Sequence, residues 1–116
     1  MKLTPLPKLL EKTQRIFNAY IRARDKYCIS CGGPVEQAGH YHSQGHHSAL
    51  RFDPINTNGQ CRRCNMFLHG NLIKYRQGLV DKYGEDVVKE LEEKANTNRL
   101  KKWSRDELEE IINQYK

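Results

Sequence analysis

Two short cysteine pairs carry the clearest chemical signal in this sequence. "CISC" (Cys28, Cys31) and "CRRC" (Cys61, Cys64) are C-x-x-C knuckles with 29 residues between them. A tetrahedral zinc ion takes four soft ligands at about 2.3 Å, and each knuckle offers two thiolates from one tight turn. The "CGG" that continues the first pair supplies the permissive backbone such a turn uses. Disulfides compete for the same residues, but "MKLTPLPKLL" has two prolines and no sustained apolar run, so it does not read as a secretory leader. A cytoplasmic chain with paired cysteines points to metal before disulfide. A redox role is disfavoured, because neither pair sits in a βαβ pattern. Four thiolates leave no open coordination position, so the expected zinc is structural.

The histidines are then free for other work. Four of the five, His40, His42, His46 and His47, fall in "AGHYHSQGHH". An imidazole with a reference pKa near 6.5 is suited to take a proton from water. On a strand, His42 would point the same way as His40 and is a candidate ligand or phosphate contact. His46 and His47 follow Ser-Gln-Gly and read as a solvated loop.

These groups need elements to position them. The chain has 116 residues, a net charge of +6, 37% apolar residues and a mean hydropathy of −0.87, which predicts one domain with a modest core. Residues 1–79 hold 12 Lys/Arg against four Asp/Glu, whereas residues 80–116 hold eight against ten. A basic front with an acidic rear suggests a face for a polyanion, although a solvated surface explains the charge as well. No stretch approaches the roughly 18 apolar residues that span a bilayer, so no membrane association is expected.

Apolar spacing predicts an amphipathic helix from about Pro5 to Asp25, within an N-terminal segment 1–26. Residues 27–60 are rich in Gly, Pro, Asn, Ser and His and predict loops with a short hairpin, too polar to fold without help. Helical spacing returns after Cys64. Leu72, Arg76, Leu79, Val80 and Tyr83 predict a helix ending near Gly84, and Val87, Val88, Leu91 and Ala95 predict another. Ser104 and Glu107 form a capping box for the last helix, with Trp103 and Leu108 placed as its staple. The expected class is α+β, small and mostly helical. A zinc-clamped core over 27–70 would lie between the N-terminal helix and C-terminal helices over 71–116.

Asn56 lies five residues before Cys61, Asn65 directly follows Cys64, and His40 sits on the insert between the knuckles. A hairpin histidine, a return-loop asparagine and a helix bearing a metal ligand resemble the HNH arrangement. With the zinc clamp, it is similar to the ββα-metal (His-Me finger) nucleases of the endonuclease VII kind. "FNAYIRARD", "CISCG", "AGHY", "LRF", "GQCRRCN", "GN" and "YR", in that order, resemble the bacteriophage lambda NinG family, also called the Rap recombination endonucleases. "KWSRDELEEIINQYK" is similar to that family's ending. The resemblance covers about Phe17 to Tyr115.

The resemblance implies a DNA endonuclease acting on branched recombination intermediates such as Holliday junctions and D-loops, in the cytoplasm of a phage's bacterial host. His40 would activate water, and Asn56 would fix the hairpin or the His40 ring. Asn65 would help to hold a divalent ion, Mg²⁺ or Mn²⁺, at the scissile phosphate. Endonuclease VII-like sites place an Asp just before the base histidine, where this chain has Gly39. His69, four residues after Asn65, would complete the ion site if the helix has begun there, with Gly70 as the obstacle. Arg51 would bind the phosphate, unless it is tied in a structural salt bridge. Arg62, Arg63, Lys74 and Arg76 would meet the DNA backbone. Resolving a two-fold junction favours a homodimer, although no segment specifies one.

Two other readings compete. One is a non-enzymatic zinc-dependent DNA-binding module with a degenerate HNH site. The other is a protein-interaction scaffold with zinc as its staple.

Overall fold

The computed structural model describes residues 3–116. Its elements are helix α1 (Leu6–Arg24), strands β1 (Gln37–His40) and β2 (Thr57–Gln60), and helices α2 (Leu72–Tyr83), α3 (Glu85–Thr97) and α4 (Arg105–Tyr115). A 3-10 turn covers Ser48–Leu50, and a π-helical turn covers Arg63–Phe67. The class is thus α+β and mostly helical, with one two-stranded sheet. Among the described residues, no helix is long and apolar enough to cross a membrane.

The helices follow their local signals. Pro5 and Pro7 fix the entry of α1, Arg22 and Arg24 oppose the dipole at its end, and Leu9, Phe17 and Ile21 face inward. At α4 the capping box is formed in both directions, with Ser104 N–H to Glu107 Oε1 at 3.1 Å and Glu107 N–H to Ser104 Oγ at 3.2 Å. Two apolar clusters result. Leu9, Phe17, Ile21, Phe52 and Leu108 join α1 to α4, with Trp103 packed against them. Leu50, Tyr75, Leu79, Val88, Leu91 and Ala95 join α2 to α3. The α2 stripe differs from expectation. Tyr75 is fully buried in place of Leu72, which is 47% exposed.

The hairpin is antiparallel, with Gln37 opposite Gln60, Ala38 opposite Gly59, Gly39 opposite Asn58 and His40 opposite Thr57. Strand β2, "TNGQ", has no large apolar residue, yet all four positions are buried. Polar groups removed from water need partners, and here most find them. Asn58 Oδ1 accepts from Arg24 and Lys82 at 3.1 Å each, and its Nδ2 donates to the Ile55 carbonyl at 2.8 Å. Asp25 accepts the Gly59 N–H at 2.7 Å and pairs with Arg24 and Lys82. Burial opposes ionisation of Asp25, but Arg24, the Gly59 N–H and Lys82 outweigh it and hold the carboxyl below its usual range. Helix α2 crosses the first knuckle so closely that a side chain at Gly78 would strike the Ile29 carbonyl.

Candidate functional site

The four cysteine sulfurs lie within 4.8 Å of one another, with Cys31 Sγ to Cys61 Sγ at 3.6 Å. The group could hold one metal ion such as zinc. Two turns supply it, as the spacing requires. The first is closed by Gly32 N–H to the Cys28 carbonyl and Cys28 N–H to the Gly33 carbonyl, at 2.8 and 2.7 Å. Amide donors reach the sulfurs from Gly33 at 3.4 Å, Cys64 at 3.4 Å and the Asn71 side chain at 3.5 Å. All four thiols are free. Burial and the neighbouring sulfurs push the Cys64 thiol up to about 12, against the Asn71 amide, a cost that a bound cation would offset.

The second knuckle leads directly into a cleft of about 330 Å³. Asn18 of α1, Ala38 and His40 of β1, Ser43 and Gln44 of the hairpin loop, and Asn65, His69 and Gly70 line it. The Asn65 amide donates to Gln37 Oε1 at 2.7 Å, and its Oδ1 lies 2.8 Å from where a Gly39 Cβ would stand. His40 Nε2 is 3.0 Å from the Arg51 carbonyl. A carbonyl can only accept, so Nε2 carries the proton and Nδ1 keeps the lone pair. Burial lowers the His40 pKa below its ordinary value, and the nearby Arg51 cation adds to this against the pull of the carbonyl.

Other expected site residues fall differently. Asn65 does not open an α-helix. It sits in the π-helical turn, where Leu68 N–H returns to the Arg63 carbonyl at 2.9 Å. The turn ends in a left-handed run at His69 (φ 50°), Gly70 (93°) and Asn71 (46°), so helical spacing cannot place His69 over Asn65. His69 nonetheless shares the cleft, brought there by the turn. His42 does not share a strand face with His40, because β1 ends at His40. Its backbone is pinned by Asn56, and its ring lies 5.1 Å from that of His47 and outside the cleft lining.

Asn56 is fully buried and grips the His42 backbone, accepting its N–H at 2.9 Å and donating to its carbonyl at 3.0 Å. It therefore fixes the hairpin loop and makes no bond to the His40 ring. Arg51 is not salt-bridged among the described residues. Its Nε donates to Gln14 Oε1 at 2.8 Å, which leaves its charge without a carboxylate. Arg76 departs from the expected backbone contact, since Glu92 takes it at 3.0 Å through two oxygens and Glu85 at 2.8 Å. His46 lies in a turn of the loop, as expected.

Three amides were not singled out by spacing. Gln14 Nε2 joins Asn18 Oδ1 at 2.9 Å, so α1 presents a linked amide pair to Arg51 and the cleft. Their signal is Gln14 interrupting the apolar series Leu10, Phe17, Ile21 at helical spacing. Gln60 Nε2 bridges Ser30 Oγ at 2.9 Å and the Gly70 carbonyl at 2.8 Å, tying the first knuckle and the bend after the π-helical turn to the hairpin.

Gln60 also accounts for Gly39. A Cβ at Gly39 would run into Gln60 Oε1, so the space of a side chain there is already filled. Because the Gln60 amide is buried and held at its nitrogen, it has no room to yield. Gly39→Ala is expected to cost about 1–3 kcal/mol, read as a lowered urea midpoint at unchanged m-value. An unshifted midpoint would show that the hairpin accommodates the methyl.

The family described as "Bacteriophage Lambda NinG protein" matches residues 1–116. "Protein ninG" of Escherichia phage 933W is 36% identical over 120 residues, covering 99% of this chain and 58% of the relative. "Protein ninG" of Escherichia phage lambda is 35% identical, covering 99% and 57%, and that of Salmonella phage P22 is 35% identical, covering 99% and 58%. The chain therefore spans a little over half the length of these relatives. No solved structure matches it significantly. With its family profile matched from end to end, the chain belongs to the bacteriophage lambda NinG family.

Proposed function

We propose that this chain is a structure-selective endonuclease that hydrolyses phosphodiester bonds in branched DNA, on an HNH-like site braced by one structural zinc. The supporting observation is His40, held in one tautomer by the Arg51 carbonyl in a cleft shared with Asn65 and His69. Cys28, Cys31, Cys61 and Cys64, whose sulfurs converge, would hold the zinc, which would brace the two knuckles against each other.

In this reading His40 Nδ1 takes a proton from the attacking water. The water oxygen bonds to phosphorus as the bond to the 3′ oxygen breaks. That oxygen is protonated by solvent, giving 5′-phosphate and 3′-hydroxyl ends. Arg51 contributes an unpaired cation for the phosphate. A divalent ion, Mg²⁺ or Mn²⁺, supplies positive charge for phosphate and leaving group when bound. Asn65 Oδ1 and His69 are the residues here that would hold it. With Gly39 adding no carboxylate, such a site depends on substrate oxygens for the remaining ligands.

A labelled four-way junction incubated with zinc-loaded protein should be cut when Mg²⁺ or Mn²⁺ is added, and a matched linear duplex much less. Because burial lowers the His40 pKa, the ring takes up its proton only below its ordinary value near 6.5. The acid limb of the cleavage-rate profile should therefore have its midpoint below pH 6.5. A break at or above 6.5 would contradict the assignment of the base. Among the described residues no carboxylate lines the cleft, which favours one alternative, a DNA-binding module with a degenerate site. Junction binding without cleavage in either metal would establish it.

A further inference from the structure

Two cleft residues flank one apolar stretch, Asn65 in the middle of the π-helical turn and His69 two residues beyond its end. Between them stand Met66, Phe67 and Leu68, exposed by 51%, 67% and 42%. Three consecutive large apolar side chains in water are uncommon on a surface this polar. The turn is not loose. Leu68 N–H and Gly70 N–H bond back to Arg63 and Cys64 at 2.9 and 2.8 Å, and Gln37 Nε2 reaches Met66 Sδ at 3.3 Å. The apolar group is thus displayed by a braced backbone.

Its surroundings are cationic. The Arg62 guanidinium lies 5.8 Å from the centre of the Phe67 ring. Arg62 and Arg63 are exposed, and among the described residues neither side chain is ion-paired. A purely apolar partner would have to strip water from these charges. A nucleic acid offers both complements, phosphates for the arginines and flat bases for the ring.

We propose that Met66–Leu68 form a stacking wedge, with Phe67 at its tip, that enters DNA where base stacking is already broken at a branch. The proposal rests on the DNA-directed part of the reading above. Opening an intact stack costs a few kcal/mol, and apolar side chains that enter duplexes must meet that cost. At a branch point much of it is absent, so an exposed ring gains stacking there and little on linear duplex. Shape selectivity then has a physical source beside the cleft itself.

The test is binding, measured by fluorescence anisotropy with zinc-loaded protein and no Mg²⁺, on a four-way junction and a matched duplex. Loss of one stacked base is worth about 1–3 kcal/mol, so Phe67→Ala should weaken junction binding about 5–150-fold and leave duplex binding unchanged. Phe67→Trp should restore junction affinity. 2-Aminopurine at the branch should brighten with the parent protein and not with Phe67→Ala. Arg63→Gln should weaken both DNAs alike and reduce the salt dependence. Equal junction affinity for Phe67→Ala and the parent would overturn the wedge. So would a parental dimer that Phe67→Ala converts to monomer, which would assign the patch to a second copy of the chain. None of these readouts requires cleavage, so loss of the nuclease reading and loss of the wedge are separately visible.

Discussion

His40→Ala is expected to slow metal-dependent junction cleavage by about 10²–10⁴-fold, the usual contribution of a positioned general base. The fold should survive the change. The Arg51 carbonyl that loses its imidazole partner still accepts from Gln14 Nε2 at 3.2 Å, and the hairpin loop remains gripped by Asn56. Zinc content and junction affinity should therefore match the parent, with the loss confined to the rate. His40→Gln is the sharper control. A glutamine amide can donate to the same carbonyl but cannot take a proton near neutral pH. If glutamine restores cleavage, the ring only holds the loop, and the base must be sought elsewhere.

Removing the metal should have the larger effect on the fold. Structural zinc contributes about 10–16 kcal/mol of apparent free energy in small zinc modules, comparable with the whole stability of a typical domain, about 5–15 kcal/mol. Chelation, or Cys61→Ser, is expected to abolish the cooperative thermal transition seen by circular dichroism. Elemental analysis of the parent should give one zinc per chain. The apolar clusters lie outside the sheet, one between α1 and α4 and one between α2 and α3, so some helical signal should persist after the cleft is lost. A chain that melts at the same temperature with and without chelator would remove the zinc from this account.

Sequence spacing located what depends on few residues at fixed intervals. The knuckles are legible because two thiolates per turn leave little freedom in spacing. The limits of α1 and the capping box at Ser104 are legible because their determinants lie within one helical turn. A short hairpin is legible, but the burial of β2 is not, since "TNGQ" has no apolar alternation and several of its partners lie 30 or more residues away. The π-helical turn escapes for a related reason. Helical spacing would pair His69 with Asn65 only if a helix had begun there, whereas the second knuckle and the Gly70 N–H to Cys64 carbonyl bond impose a wider coil. Arg76 looked available to DNA because Glu85 and Glu92 approach it from a different helix. For the cleft, His40, Asn65 and His69 were all found, but His69 arrives by a left-handed bend that periodicity does not describe.

The burial of β2 also shapes how the hairpin responds to temperature. Exposing apolar surface raises heat capacity on unfolding, whereas exposing polar surface lowers it. A strand held by the Asn58, Gln60 and Asp25 bonds contributes mostly the second kind of surface. Its free energy of opening therefore curves little with temperature and draws little on the hydrophobic force that fades on cooling. The strand facing His40 is in this sense cold-tolerant, while the helices around it are not.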